Sequence, residues 1–302
     1  MRTDQRAPNI VKHVFSVDVE DYFQVEAFAG NISRKTWDQF PLRVVDNCNR
    51  LLDLLDEHHV SGTFFVLGWI ARRCPQLIRT IQERGHELAC HSFWHRRVYS
   101  LSPAEFRQDL REACDAIEQA SSAKVIGYRA PTWSITRQSL WALDILAEEE
   151  LVYDSSIFPI HHDLYGIPNA KREPYIENCG HGRQIVEFPP ATIQIGRMNV
   201  PIAGGGYLRL LPLSVTCWAF ERYEKAGKPL VLYLHPWEID PEQPRIEAKL
   251  RSRFRHYTNL RSTYPRLKQL LTRYSFESFR DKLASEHALP SMVKQYAAMA
   301  GD

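Results

Sequence analysis

Short apolar runs alternate with longer stretches of helical period along most of this chain, and that alternation constrains its fold more than any other feature. HVFSVDV (13–19), GTFFVL (62–67), HELAC (86–90), KVIGYRA (124–130), LVYDSS (151–156) and PLVLYLH (229–235) read as strands. Between them, residues 43–59 carry Val44, Val45, Leu51, Leu52 and Leu55 at helical spacing, and residues 69–85 read as a second helix closed by a glycine. Ser102 as N-cap, Pro103 in the first turn and Glu105 three residues on predict a capped helix start. Further helices are predicted over about 136–149 and 213–227. Strands that alternate with helices pair in parallel through crossovers, so the expected class is α/β. Residues 157–211, rich in histidine, glycine and proline, break the rhythm and read as a long insertion or elaborate loops. From Pro241 to Asp302 the tail reads as basic helices, with Leu250, Phe254, Leu260, Leu267, Leu270 and Leu271 as candidate buried positions. The expected organisation is one domain over 1–302, with a catalytic unit over about 12–240 and a helical extension over about 241–302.

Charge and cysteine usage narrow the class of function. Thirty-eight basic side chains against 36 acidic ones leave a net charge of +2 with no basic run, which argues against nucleic acid as a partner. No apolar run approaches the roughly 18 residues of a membrane span, and the polar start MRTDQRAPNI lacks the apolar stretch of a signal peptide. The six cysteines form no C-x-x-C pair and read as reduced thiols. A cytoplasmic protein without a transmembrane segment is expected.

The polar residues that interrupt the strands fall at one end of them. Asp18 and Glu20 end the first strand, His91 and His95 follow the third, and Arg129, Asp154 and His235 end the fourth, fifth and last. In barrels of parallel strands, chemistry gathers at the C-terminal strand ends. His91-x-x-x-His95 puts two imidazoles on one face of a helical turn, where both can reach one ion. Alone, such a pair is more often a solvated loop. A carboxylate from another strand end favours a metal site, because two histidines and one carboxylate leave a position open for water.

In order along the chain, SVDVED, HSFWH, YRAPTW, YDSS and LYLH resemble the five motifs of the polysaccharide deacetylases, the NodB-homology or carbohydrate esterase family four proteins. FPIHHDLYGIP, VEFP, GGGYLRLLP and YLHPWE resemble the subgroup linked to exopolysaccharide loci of bacteria with the PEP-CTERM/exosortase system. The resemblance implies a distorted (β/α) barrel that uses a divalent metal, usually zinc, to remove acetyl groups from N-acetylated sugars. It makes His91 and His95 metal ligands, Arg129 the holder of the catalytic aspartate, His235 the general acid and the Thr132 N–H an oxyanion donor. The first motif departs from the adjacent aspartates of most members, reading Asp18-Val-Glu20-Asp21. By the precedent of similar D-x-D proteins, Asp18 is the base and Glu20 the third ligand, with Asp21 an alternative ligand.

Bland readings stand beside these. Arg129 can be an ordinary ion-pair partner, and Asp154 can close an Asx-turn or face the sugar. His161 and His162 can be loop surface, or His162 can meet substrate. Trp94, Trp133 and Trp237 can stack on pyranose rings or fill core. Gly204–Gly206 fits a tight turn better than a phosphate cradle, since no Lys-Ser or Lys-Thr follows. His235 needs a carboxylate to stay cationic, for which Glu187 and Glu238 are candidates. The expected activity is metal-dependent N-deacetylation of an amino sugar in an exopolysaccharide or its precursor. The alternatives are hydrolysis of another amide, in a formamido sugar or a small cyclic amide, and an inactive carbohydrate-binding protein.

Overall fold

The computed structural model describes residues 11–202 and 204–285. The polar N-terminal stretch and the last part of the expected helical tail lie outside the described residues. All six strands of the sequence reading form, the first five as β1 (Lys12–Val19), β2 (Thr63–Val66), β3 (Glu87–Cys90), β4 (Gly127–Tyr128) and β5 (Tyr153–Asp154), and the sixth, at 229–235, as the tenth strand of the chain. The region 157–211 adds β6 (Tyr175–Asn178), β7 (Gln184–Glu187) and the hairpin β8 (Thr192–Ile195) and β9 (Met198–Pro201); β10 (Val231–Leu234) and β11 (Ser275–Glu277) complete the set. The main sheet runs β10-β1-β2-β3-β4-β5-β7-β6, and every neighbouring pair is parallel except β6 with β7. This is the expected α/β architecture of the distorted barrel type. β1 is buried from His13 to Val19, as its continuous apolar run implies for a strand covered on both faces.

The strand register sets the strand ends level. Val17 pairs with Leu234, Asp18 with Phe65, Cys90 with Tyr128, and Tyr128 with Asp154. The residues one or two positions beyond these pairs therefore open on the same rim.

Helices cover the sheet: α1 (Val44–Glu57), α2 (Gly68–Arg73), α3 (Pro75–Glu83), α4 (Pro103–Ser121), α5 (Trp141–Glu148), α6 (Gly205–Leu210), α7 (Leu213–Lys225), α8 (Leu250–Tyr257), α9 (Leu260–Arg273) and α10 (Phe279–Ser285). The capping box of α4 forms as its sequence predicts, with Ser102 Oγ accepting from Glu105 N at 3.3 Å and Glu105 accepting from Ser102 N at 2.8 Å. The single helix expected over 69–85 is two, because Pro75 has no N–H to donate and disfavours helical backbone at Cys74 (φ −129°, ψ 56°). In the tail, Leu260, Leu267, Leu270 and Leu271 are buried as expected. Leu250 and Phe254 are not, being 82% and 65% exposed on α8. The tail also contributes β11, which pairs with Lys12–Val14 of β1 alongside the stretch that β2 leaves free.

Candidate metal centre and active site

Glu20 leaves β1 as the chain turns toward the rim, and His91 and His95 belong to the loop after β3. One ligand atom from each of the three lies within 4.8 Å of the others, and all three side chains are buried. The two histidines do not share a helical turn, as their spacing suggests. They sit in an irregular loop in which Ser92 (φ 65°) and His95 (φ 51°) are left-handed, held by Ser92 Oγ accepting from His95 N at 3.0 Å and Asp109 of α4 accepting from Phe93 N at 2.7 Å. His91 Nδ1 donates to the Arg129 carbonyl at 2.7 Å, which leaves Nε2 with a free lone pair. Burial, with the charge of His95, pushes the His91 pKa well below its ordinary value, so this imidazole stays neutral as a ligand must. Glu20 remains a carboxylate: burial opposes its charge, and the imidazoles of His95 and His235 outweigh burial. His95 Nε2 lies 2.8 Å from Glu20 Oε2, yet misses hydrogen-bond geometry and leaves that oxygen buried without a donor. A buried carboxylate oxygen without a donor, beside a bare imidazole nitrogen, fits a divalent cation with two nitrogen ligands and one oxygen ligand.

Asp18 and Asp21 meet different surroundings. Asp18 Oδ1 accepts from Arg129 Nη1 at 2.6 Å, and the fully buried Arg129 is fixed further by Ser16 Oγ at 3.0 Å and Ser155 Oγ at 3.1 Å. Asp21 points away from the cluster. Its Oδ2 accepts from Arg43 N at 2.7 Å and Val44 N at 2.9 Å, so it caps α1, whose own N-cap residue Arg43 supplies no side-chain cap.

His235, just past β10, faces both carboxylates, with Nε2 3.4 Å from Glu20 Oε1 and 3.8 Å from Asp18 Oδ2. On its other side Nδ1 meets Glu238 Oε2 at 3.1 Å, and Arg209 Nε donates to Glu238 Oε1 at 2.7 Å. Burial works against the imidazolium, but Glu20, Glu238 and Asp18 outweigh it and raise the His235 pKa to about 9. Glu238 is likewise disfavoured by burial, and Arg209 and His235 hold its pKa at about 2. Glu187, the other candidate partner, is instead paired with Asp154 in a buried carboxyl pair, and burial with that neighbour's charge pushes its pKa well up.

Asp18, Glu20, His91, His95, Thr132, Trp133 and His235 line one cavity of about 200 Å³. Thr132 follows the motif proline in a left-handed conformation (φ 55°), with its hydroxyl buried and unpartnered among the described residues. Asp154 does not reach this cavity. It is fully buried and accepts from Ser156 Oγ at 2.5 Å, while Ser156 Oγ accepts from Ala130 N, so its place is beneath the Arg129 loop. His162 borders a neighbouring chamber rather than the ion cluster. Trp94 packs on Phe93 and Trp37, and Trp237 is stacked between His235 and His256, which leaves Trp237 no free face for a sugar. Gly204 (φ 113°) admits no side chain, since a Cβ there would lie 2.4 Å from Tyr233. Arg209 lies inside the GGGYLRLLP stretch, but the sequence gives it no role because its partner is 29 residues away.

Comparison with known proteins agrees with this fold. The polysaccharide deacetylase family model matches residues 33–147, and a domain of unknown function (DUF3473) matches residues 155–284. A chitooligosaccharide deacetylase of Sinorhizobium fredii is 37% identical over 97 residues, which cover 32% of this chain and 42% of that protein. The chain thus spans less than half the length of that relative. Among solved structures, a Mycobacterium smegmatis protein provisionally described as a polysaccharide deacetylase superposes with a TM-score of 0.62 at 19% identity, covering 95% of this chain and 94% of that one. An allantoinase superposes with a TM-score of 0.57 at 15% identity, covering 95% and 90%. At these identities the likeness is one of fold. Residues 33–147 thus carry a polysaccharide deacetylase domain of the NodB or carbohydrate esterase family four type.

Proposed function

We propose that this chain is a metal-dependent N-deacetylase acting on N-acetylhexosamine in an exopolysaccharide or its lipid-linked precursor. One observation carries the reading: a buried Glu20–His91–His95 cluster shares a single cavity with an arginine-held aspartate and a carboxylate-held histidine. Glu20, His91 and His95 hold the cation, for which zinc suits two imidazoles and a carboxylate with one open position. When bound, it polarises the acetyl carbonyl and lowers the pKa of water beside it. Asp18, oriented by Arg129, takes the proton of the attacking water. The Thr132 N–H donates to the oxygen that becomes negative as the carbonyl turns tetrahedral. His235, kept cationic by Glu238, gives its proton to the amide nitrogen as the C–N bond breaks; an unprotonated amide nitrogen is a poor leaving group.

The named activity of the Sinorhizobium relative supports deacetylation of an amino-sugar oligomer. The later motifs support an exopolysaccharide substrate, and six free cysteines support a reducing, cytoplasmic setting. The test is acetate release from a panel of N-acetylated oligosaccharides, with formate assayed alongside, on protein of measured metal content. Acetate release that chelation abolishes and zinc or cobalt restores is the expected result. Formate in place of acetate moves the reading to a formamido sugar, and metal-free protein that binds sugar without turnover makes it a binding protein.

A further inference from the structure

The cleft continues past His235. A second chamber, of about 320 Å³, shares Val25, Tyr165, Gly206, Tyr233, His235 and Trp237 with the first, so the two adjoin along these residues. Its own walls come largely from the insertion and the tail, including His162, Tyr207, Leu210 and Arg255. Nearly every charge in these walls is matched. Glu238 is held by Arg209 and His235, and Arg209 also donates to the carbonyls of His256 at 3.1 Å and Thr258 at 2.7 Å. His256 is neutral, with Nε2 2.6 Å from Gln243 Oε1 and a pKa that burial, with Arg209, lowers to about 3. His162 is stacked on Tyr165 at 3.9 Å, and burial, then Arg255, lowers its pKa as well. Arg255 is exposed at the chamber and makes no ion pair among the described residues.

An uncompensated guanidinium at the end of an aromatic-walled chamber is a recognition element for an anion attached to an amphipathic ring. A volume of 320 Å³ is at the small end of ligand pockets and suits one further ring. We propose that this chamber is a second sugar subsite, and that Arg255 selects a substrate bearing an anionic group next to the acetamido sugar. The inference rests on the deacetylase reading and narrows its substrate to an acidic glycan. The anion is the carboxylate of a neighbouring uronic acid in the polymer, or the phosphate at C1 of a precursor.

The test is calorimetric titration of metal-loaded Asp18→Asn protein, so that ligand is not consumed. The ligands are two disaccharides, N-acetylglucosamine joined to glucose or to glucuronic acid, and N-acetylglucosamine 1-phosphate beside free N-acetylglucosamine. We expect an anionic ligand to bind about 2- to 5-fold tighter than its neutral counterpart, the worth of one exposed arginine–anion pair. Arg255→Glu removes or inverts that ratio, and Arg255→Lys keeps part of it. Discrimination by the uronate pair identifies the polymer carboxylate; discrimination by the phosphate pair alone identifies the precursor. Equal binding in both pairs, or a preference that survives Arg255→Glu, overturns the proposal. Initial rates of wild-type protein on the same ligands separate the two readings. Acetate release without charge preference sinks only the subsite, whereas charge preference without acetate release sinks only the deacetylase assignment.

Discussion

Three carboxylates within four residues of the first motif meet three different surroundings, and those surroundings rather than chemical type set what each can do. Asp18 faces a buried guanidinium, Glu20 two imidazoles, and Asp21 the backbone N–H groups that open α1. Glu20→Gln should therefore empty the metal centre, since a neutral amide is a poor ligand, while Asp18→Asn keeps the metal and loses turnover by roughly 10²- to 10⁴-fold. Asp21→Asn should keep both with little change in stability, because asparagine caps a helix about as well as aspartate. Metal analysis, kcat and urea unfolding of the three variants read these outcomes, and an Asp21→Asn protein without metal would move the ligand by one residue. His235→Ala tests the acid in the same way. Its kcat on an N-acetyl sugar should fall roughly 10²- to 10⁴-fold with metal content unchanged, and less on an aryl acetate, whose leaving group needs no proton. Equal losses on both substrates would show that His235 binds or orients instead.

Between strands, two further histidines act as staples far from the chemistry. His13 Nδ1 accepts from Leu230 N at 3.1 Å, joining β1 to the start of β10, and His86 Nδ1 accepts from Gly62 N at 3.2 Å, joining β3 to β2. Burial, assisted by Lys282 for His13, lowers both pKa values from 6.5 to about 4. The unfolded chain binds these protons near pH 6.5 and the folded chain only near pH 4, so the native state is disfavoured progressively as pH falls through that window. Stability should be full above about pH 6.5 and lower at pH 5 by roughly 1–2 kcal/mol for each group. His86→Asn, which keeps an acceptor but cannot titrate, should flatten the Tm-against-pH curve below about pH 6.5. A slope identical to that of the parent would remove His86 from the account.

Across the whole molecule, the site is shared by parts distant in sequence. The candidate metal ligands come from the first third of the chain, His235 and Glu238 from beyond the insertion, and Arg209 ties Glu238 to the carbonyls of His256 and Thr258. A cation bound by the folded cluster and not by the unfolded chain adds stability by mass action. Chelation should then lower Tm by several degrees, about 2–4 °C for each kcal/mol in a domain of this size, and Glu20→Gln should make Tm insensitive to the chelator. A Tm that responds equally in both proteins would put the stabilising ion elsewhere.

What the amino-acid sequence determined by itself was local. The apolar run of β1, the period of α1 and the capping box of α4 each reside in a few consecutive residues, and each forms as read. The rim of strand ends was legible too, because a polar residue closing an apolar strand marks the edge of the core. Tertiary structure alone decided the partners. Register put Glu20 beside His95 and left Asp21 to cap a helix that begins 23 residues later. Packing buried Asp154 beneath the Arg129 loop, left Leu250 and Phe254 in solvent, and set β11 against β1. The physical reason is range: propensity and capping act between near neighbours in the chain, whereas ion pairing, desolvation and strand pairing act through space, and only the folded chain specifies which charges meet there.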